Sequence, residues 1–223
     1  MTQRHDPRAA GFTIIELLIA MAVTLVVMTL ACNLVARSLA IRSRENQRSD
    51  ALADAQRALQ GMSREIANTG FGMRSNGIVG VDSGPSSIRV RANLNAYSGQ
   101  TTSQAATDRD EDIQYRLVQS DGQSYLVRLD VNTSNQTTIL ANRIDSFIIR
   151  YFPSKVNYTP GTCDITAPSV ADVADKTAAK YVVLVLCVTL PERGSQGSPG
   201  YSPPSRVQLI SDIGLRNADL ASY

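Results

Sequence analysis

An uninterrupted apolar run near the N-terminus constrains this chain more than any other feature of its sequence. From Leu17 to Ala36 there are 20 consecutive residues without a charged residue, a glycine or a proline. At about 1.5 Å of rise per residue, a helix of this run is about 30 Å long, the thickness of a bilayer's hydrocarbon core. The run predicts a membrane-spanning helix. The alternatives are a buried helix of a soluble core and a cleaved secretory signal, whose apolar region is shorter, at about 7 to 15 residues.

An acidic residue, Glu16, directly precedes the uncharged run and lies four residues after Phe12. A carboxylate in hydrocarbon costs roughly 2.5 kcal/mol or more near the membrane centre, so an acidic residue there is a candidate for function. The alternative is a glutamate whose side chain reaches up to the lipid headgroups. The neighbouring residues favour the functional interpretation.

The string G-F-T-I-I-E-L-L-I-A, from Gly11 to Ala20, follows a hydrophilic stretch that contains Arg4 and Arg8. It closely resembles the class III signal of type IV pilins and type II secretion pseudopilins. In that family a membrane aspartyl peptidase, the prepilin peptidase, cuts after the glycine on the cytoplasmic side and methylates the new amino terminus. The resemblance implies cleavage between Gly11 and Phe12, N-methylation of Phe12, and a mature chain that keeps the apolar helix.

The same resemblance makes Glu16 the fifth residue of the mature chain. When helices stack side by side, the carboxylate of one subunit can neutralise the amino terminus of a neighbour. In a low-dielectric setting such a pair costs far less than two isolated charges. We therefore expect Glu16 to set the axial register between subunits during assembly.

The distribution of arginines conflicts with this topology. Two arginines precede the apolar run, and four follow it closely, at Arg37, Arg42, Arg44 and Arg48. The positive-inside rule alone would place the N-terminus outside the cytoplasm. The prepilin peptidase requires a cytoplasmic leader, so the resemblance implies the opposite: a cytoplasmic N-terminus and a head in the periplasm.

A second apolar pattern follows the run. Spacings of 3, 4, 3 and 4 separate five apolar residues, Leu52, Ala55, Leu59, Met62 and Ile66. This stripe is typical of an amphipathic helix, and it is too short to support a coiled coil. The sequence predicts one helix from Phe12 to near Asn68, and four regions: a leader at 1–11 that is removed, a transmembrane or filament-core helix at 12–36, its amphipathic continuation at 37–68, and a β-rich head at 69–223.

Strand signals dominate after residue 69. The predicted strands are Ile88–Leu94, Asp112–Gln119, Ser124–Val131, Thr137–Ala141, Ile144–Phe152, Lys180–Leu190 and Arg206–Leu215. Asp121-Gly122 between two of them predicts a hairpin with a type I′ turn. The nearly all-apolar segment Tyr181–Leu190 predicts a central strand buried on both faces. We expect an α+β fold, in which an antiparallel sheet packs against the outer half of the spine helix; the resemblance implies the same pilin-like layout.

Two further segments resemble one branch of that family. The helix end reads Glu65-Ile66 and then Gly70-Phe71-Gly72, similar to the junction after the spine in PilW-type minor pilins. The C-terminal Leu215-Arg216-Asn217 resembles the Leu-Arg-Asn ending that is common in minor pilins. A phosphate-binding loop is an alternative for the glycines, but no strand precedes them and no Lys-Ser/Thr pair follows.

The composition leans away from an enzyme. The only histidine, His5, lies in the leader, so the mature chain has no imidazole for catalysis or for metal binding. No catalytic residue, metal site or cofactor is predicted. In a periplasmic head the pair Cys163 and Cys187 can oxidise, which makes it a candidate disulfide. Cys32, in the apolar run, is interpreted as a buried, inert thiol.

An acidic cluster, Asp108-Arg109-Asp110-Glu111-Asp112, raises the possibility of a calcium loop. The cluster lacks the glycine and the glutamate that an EF-hand needs, because Ile113 and Gln119 occupy those positions. We interpret it as a solvated loop. A net charge of +2, from 22 basic and 20 acidic residues, gives no support for direct nucleic-acid binding.

Taken as a resemblance, these features imply a minor pilin that helps initiate or cap a type IV pilus, with roles in twitching motility, adhesion and DNA uptake. The alternative is a minor pseudopilin of a type II secretion system. A single-pass membrane enzyme or receptor would need an uncut N-terminus. The expected partners are the prepilin peptidase, other minor and major pilins, the inner membrane and a tip adhesin. The expected location is the inner membrane before assembly and the pilus at the cell surface afterwards.

Overall fold

A computed structural model of the chain describes residues 12–95, 106–133, 136–142, 144–190, 192, 194–197 and 201–218. Its first element is one continuous helix, α1 (Ile14–Ala67), of 54 residues. The prediction of a single spine helix that ends near Asn68 is confirmed. The predicted leader, including Gly11, lies outside the described residues.

The head begins with a four-stranded antiparallel sheet in the order β1-β2-β3-β4. Its strands are β1 (Ser87–Arg91), β2 (Asp112–Ser120), β3 (Gln123–Asp130) and β4 (Gln136–Asn142). Asp121 and Gly122 join β2 to β3 with positive φ angles of 52° and 73°, as a type I′ turn requires, so the predicted hairpin is confirmed. The first strand ends three residues earlier than predicted, because residues 94 and 95 form a turn.

Five further strands complete the head: β5 (Ile144–Phe152), β6 (Thr159–Pro160), β7 (Ile165–Thr166), β8 (Tyr181–Leu190) and β9 (Ser205–Gly214). The long ones form a second antiparallel sheet in the order β5-β8-β9, and β6 and β7 pair with each other. In the central strand β8 every residue except Thr189 is buried. The predicted strand buried on both faces is confirmed.

The head contains two main sheets where the sequence predicted one. Strand β4 pairs with β3, whereas β5, which follows it after residue 143, pairs with β8. Alternation of apolar and polar residues shows that both segments are strands, but it does not show which neighbour each one takes. Helix α1 packs against β4, β8 and β9, so both sheets cover it.

The main core lies between the outer half of α1 and the two sheets. The buried helix residues are Ala51, Ala55, Ala58, Leu59, Met62 and Ile66. Three of these are alanines, whose small side chains let the sheets approach the helix closely. The predicted stripe is confirmed except at Leu52, which is half-buried because Ala51 and Ala58 face the sheets beside it.

A second, smaller core lies on the far face of the β5-β8-β9 sheet. Phe152, Val183 and Val185 point to this face, and Val156 and Ile165 pack onto them. The last two belong to residues 153–175, which we call the cover segment. Sheet residues that would otherwise meet water are thereby buried on both sides.

Candidate functional site

The first turn of α1 holds the residues that the sequence singled out for assembly. Thr13 is the N-cap residue, with φ −78° and ψ 150°, and its Oγ1 accepts a hydrogen bond of 3.3 Å from the Glu16 backbone N–H. Thr13 and Glu16 have the Ser/Thr-x-x-Glu spacing of a capping box, and a carboxylate in the first turn is favoured by the helix dipole. Thr13 was missed as a site residue, although this spacing is visible in the sequence.

The surface around this turn is apolar and uncovered. Every residue from Phe12 to Leu39 is exposed, and Phe12 itself has 81% of its surface accessible. Soluble proteins do not leave an apolar surface of this length open to water. This half of α1 therefore has to be buried by lipid or by neighbouring helices.

The polar side chains within the apolar run are compatible with such surroundings. The Thr24 hydroxyl donates to the carbonyl oxygen of Ala20 at 2.7 Å, and the Thr29 hydroxyl donates to that of Val26 at 2.8 Å. In hydrocarbon each polar group has to find its partner within the protein, and both hydroxyls do so. Cys32 lies exposed on the same helix surface, so its burial depends on whatever surrounds the helix.

The helix also meets the length and composition of a membrane span. It contains an 18-residue window with a mean hydropathy of 2.5, and none of that window is buried within the chain. A core helix of a soluble protein would be mostly buried, so this helix is not the buried helix of a soluble core. A single apolar helix near the N-terminus fits anchoring in the inner membrane.

Four arginines mark the point where the apolar surface ends. Arg37, Arg42 and Arg48 are exposed. Arg44 is half-buried and donates from Nη1 to the carbonyl oxygen of Ser202 at 3.0 Å and from Nη2 to that of Pro203. Arg44 therefore fastens the base of the head to the helix, while the other three guanidinium groups stay open to their surroundings.

The far end of α1 is bound by the C-terminal Leu-Arg-Asn segment. The Arg216 N–H donates to the Ala67 carbonyl at 3.0 Å. The Asn217 side-chain amide donates to the carbonyls of Asn68 and Thr69 at 3.1 and 3.0 Å. These bonds satisfy carbonyl groups that a helix end leaves without partners. The two segments that resemble minor pilins are therefore in contact, although 148 residues separate them in the sequence.

A disulfide joins Cys163 of the cover segment to Cys187 of β8, with a Cα–Cα distance of 5.5 Å. Gln208 of β9 binds the backbone of the cover segment at the same point. Its Oε1 accepts a hydrogen bond from the Cys163 N–H at 3.1 Å, and its Nε2 donates to the Asp164 carbonyl at 3.0 Å. Arg150 adds ion pairs to Asp164 and Asp172. These contacts hold the cover segment on the sheet and bury the second core.

The interpretation of the acidic cluster as a solvated loop is wrong for two of its members. Asp108 and Asp110 are exposed, but Glu111 and Asp112 are each only 2% exposed. The Glu111 carboxylate accepts hydrogen bonds from the N–H groups of Leu94, Thr107 and Asp108, at 2.7 to 3.0 Å. Buried carboxylates need such partners, and Glu111 finds them in the backbone of its own loop.

Asp112 is matched by two arginines of β1. Arg89 donates to both of its oxygens, at 2.7 and 2.8 Å, and Arg91 donates at 2.7 Å. Burial alone would raise the pKa of Asp112, but the hydrogen bonds from Arg89 and Arg91 outweigh it and lower that pKa below its ordinary value. Groups of three or more acidic, cysteine or histidine side chains arranged to bind a metal do not occur among the described residues.

A third charged cluster ties α1 to the first sheet. Glu65 accepts a hydrogen bond from the Tyr115 hydroxyl and a 3.1 Å bond from Nε of Arg128, and Arg128 also pairs with Asp110 at 2.7 Å. Burial, followed by the charge of Glu65, raises the pKa of the Tyr115 hydroxyl, which stays protonated as a donor. The cluster has the properties of a structural tie between helix and sheet, and nothing in the sequence pattern pairs these residues.

Comparison with known proteins identifies the N-terminal segment. Residues 6–31 match the family model described as the prokaryotic N-terminal methylation motif. The matched span includes the predicted cleavage point, Phe12, Glu16 and the first part of α1. Neither curated proteins nor solved structures give a significant match. The chain thus carries the methylation motif of type IV pilin-like and pseudopilin proteins, joined directly to one apolar helix that is long enough to anchor it in the inner membrane.

Proposed function

We propose that this chain is a minor pilin of a type IV pilus, which helps initiate or cap the fibre. The observation that carries the proposal is the methylation motif at 6–31, followed by a helix whose first half is apolar and open on every side. A head that covers only the outer half of the helix leaves the inner half free to pack against other spines. The subunit would wait in the inner membrane, N-terminus in the cytoplasm and head in the periplasm, and then join other pilins and a tip adhesin at the cell surface.

In this proposal Glu16 and Phe12 form the joint between neighbouring subunits. Cleavage before Phe12 creates a new amino terminus next to the first turn of α1, where Glu16 stands on the exposed surface. A neighbour's amino group and the Glu16 carboxylate neutralise each other when the helices gather away from water. The pairing favours one axial offset between spines, because any other offset leaves both charges buried alone.

The PilW-type assignment is supported by the contact at the end of the spine. The Glu-Ile…Gly-Phe-Gly junction and the Leu-Arg-Asn ending each resemble that branch, and Arg216 and Asn217 bond to carbonyls at 67–69. Two segments that serve one structural joint are expected to occur together in a family. Because the two segments are in contact, their resemblances to the same branch support each other.

A minor pseudopilin of a type II secretion system is the second candidate, because the methylation motif occurs in both classes. Deleting the gene separates the two. If the chain is a minor pilin, the deletion strain should lose surface fibres and twitching motility and should export secreted enzymes normally. If the chain is a pseudopilin, the deletion strain should keep its fibres and motility and should retain secreted enzymes in the periplasm.

The intact mass of the protein isolated from cells tests the class itself. We expect the mature chain to lack the first eleven residues and to carry one added methyl group. The matched control is Gly11→Val, which should remain at its full, unmethylated length because the peptidase cuts after this glycine. A wild-type chain that still begins at Met1 would rule out both candidates.

Replacing Glu16 tests the joint between subunits. We expect Glu16→Ala to be processed and inserted normally, and its amount in sheared fibres to fall by at least about tenfold, since an unpaired amino terminus is left in the low-dielectric bundle. Glu45→Ala removes an exposed glutamate of the same helix beyond the apolar run and should leave incorporation unchanged. Equal incorporation of Glu16→Ala and wild type would contradict the role given to this carboxylate.

A further inference from the structure

Three arginines just beyond the apolar run have no partner among the residues of the head that the structure describes. Arg37, Arg42 and Arg48 are exposed, and none of the ion pairs and hydrogen bonds formed among the described residues involves them. They also oppose the positive-inside rule, since the proposed topology exports them across the membrane. Three exposed guanidinium groups on the disfavoured side of the membrane are therefore available to a ligand outside the chain.

Position along the helix separates these arginines into two groups. Arg37 directly follows Ala36, the last residue of the apolar run, and Arg42 lies about 8 Å further along the axis. The headgroup layer on each side of a bilayer is about 5 to 8 Å thick. Long helical side chains lean back toward the N-terminus, here toward the membrane. Both guanidinium groups therefore reach the headgroup layer, whereas Arg48 lies about 18 Å beyond Ala36 and outside it.

We propose that Arg37 and Arg42 bind the phosphate groups of anionic phospholipids at the outer surface of the membrane that α1 leaves. This proposal rests on the membrane topology of the proposed function. The planar guanidinium group binds phosphate oxygens in pairs, and it loses less hydration energy than an ammonium group when it does so. Arg37 and Arg42 point about 140° apart around the helix, so they contact different lipids.

The charge of the neighbouring helix segment supports an anionic ligand. Residues 37–50 contain four arginines against two acidic residues, Glu45 and Asp50. Arg44, whose guanidinium group is bound to the carbonyls of Ser202 and Pro203, holds the base of the head above the same layer. The arrangement fixes the depth of the spine in the bilayer, and a subunit that enters a fibre has to exchange these lipid phosphates for other partners.

Lipid preference can be measured directly on the mature full-length chain. We would reconstitute it in phosphatidylcholine bilayers and compare the association of spin-labelled phosphatidylglycerol with that of spin-labelled phosphatidylcholine. We expect wild type to prefer the anionic lipid by about threefold or more at low salt, with the preference falling as salt rises. The double variant Arg37→Gln/Arg42→Gln should show a ratio close to one. Arg48→Gln, the matched control outside the headgroup layer, should keep the wild-type ratio.

Two results would overturn the proposal: an equal loss in Arg48→Gln, or an unchanged ratio in the double variant. In the second case fibre incorporation of the double variant is measured as well, and the informative result is an unchanged ratio with reduced incorporation. The last result would show that the arginines contact neighbouring subunits instead of lipid. The lipid measurement needs no fibre, so its failure would leave the mass and Glu16 results standing. Conversely, a protein that prefers anionic lipid but is never processed would contradict the proposed function alone.

Discussion

At the scale of single residues, the head depends on buried carboxylates that have complete sets of partners. Asp112 opens β2 and is held by Arg89 and Arg91 of the neighbouring strand, while Glu111 is held by three backbone N–H groups. A buried ion pair adds little compared with an apolar pair, but removing one partner leaves an uncompensated charge. These acids therefore have a large effect on stability when they are changed one at a time.

Replacing Asp112 by Asn should lower the free energy of unfolding by about 3 kcal/mol at pH 7, because Arg91 loses its counterion and Arg89 keeps only Asp82. The native pKa of Asp112 is lowered, so its contribution is present above the unfolded pKa of about 3.9 and is lost as the pH falls through the native pKa. Urea unfolding of both proteins from pH 7 to pH 3 should show the difference shrinking below about pH 4.

The control for this prediction is Asp121→Asn in the β2–β3 turn. Asp121 is exposed with φ 52°, a conformation that Asn also adopts. We expect its stability at pH 7 to match wild type. An Asp112→Asn variant as stable as this control would contradict the role assigned to the carboxylate.

These residues could not have been paired from the sequence. The partners of Glu111 and Asp112 lie between 3 and 23 residues away, and no periodic pattern marks them. A run of charges alone is typical of a solvated loop, and only the fold shows that β1 brings two arginines to it. By contrast, Phe12 and Glu16 could be singled out in advance because they belong to one contiguous string that resembles the class III signal.

At the scale of elements, the turn after α1 is fixed by close backbone contacts. The Gly70 N–H donates to the Arg91 carbonyl at 2.8 Å, and the Arg91 N–H donates to the Gly77 carbonyl at 2.7 Å. Gly77 has φ +76°, and a Cβ there would overlap the Arg91 carbonyl oxygen and the Gly70 nitrogen. These bonds cover the outer edge of β1, which would otherwise be open to pairing with another chain.

Two glycine substitutions should therefore have opposite effects. Gly77→Ala should destabilise the head by more than about 2 kcal/mol, from positive-φ strain and from the overlap with backbone atoms. Gly61→Ala, inside the last two turns of α1 and with no atom within 4 Å of the added Cβ, should stabilise it by about 0.5 to 1 kcal/mol. Thermal unfolding of the two variants measures both effects, and a tolerated Gly77→Ala would contradict the packing described for this turn.

The disulfide should be the main tether of the cover segment. Removing it in Cys163→Ala/Cys187→Ala should lower the free energy of unfolding by about 3 kcal/mol, since the cross-link closes a loop with a sequence separation of 24 residues. Wild type in reductant should lose a similar amount, and Cys32→Ala should lose nothing in the head. Mass spectrometry of native protein that finds both thiols free would contradict this prediction.

The sequence predicted the elements better than their arrangement. Local sequence patterns predicted the length of α1, the Asp121-Gly122 hairpin and the buried strand β8. The division into two sheets and the cover on the far face of β8 depend on contacts between distant residues, such as Gln208 with Cys163. Apolar residues on both faces of β8 indicated that something covers each face, but not what covers it.

At the scale of the whole molecule, the chain combines a head with buried apolar cores and a spine helix whose first half is exposed. The head closes two cores and binds the end of its own helix, whereas no residue of α1 before Ala51 is buried. The stability of the head should therefore be independent of the apolar half of the helix.

A shortened chain that begins at Ala40 tests this independence. Residues 12–39 are exposed throughout, so their removal takes away no buried contact, and the Arg44 bonds to Ser202 and Pro203 are kept. We expect it to be soluble without detergent and to unfold within about 3 °C of the full-length protein in detergent, as measured by circular dichroism. A shift well beyond this range would show that the apolar half stabilises the head.

The binding of Arg216 and Asn217 to the end of α1 has a mechanical consequence. In the proposed fibre, pulling force enters each subunit through its spine. It passes to the head first at Arg44, then along the buried helix residues from Ala51 to Ile66, and last at positions 67–69, where the chain leaves the helix. There the load divides between the covalent path into β1 and the hydrogen bonds from the C-terminal tail. The tail thus carries tension in parallel with the backbone. Shortening it should lower the pulling force at which the head separates from α1.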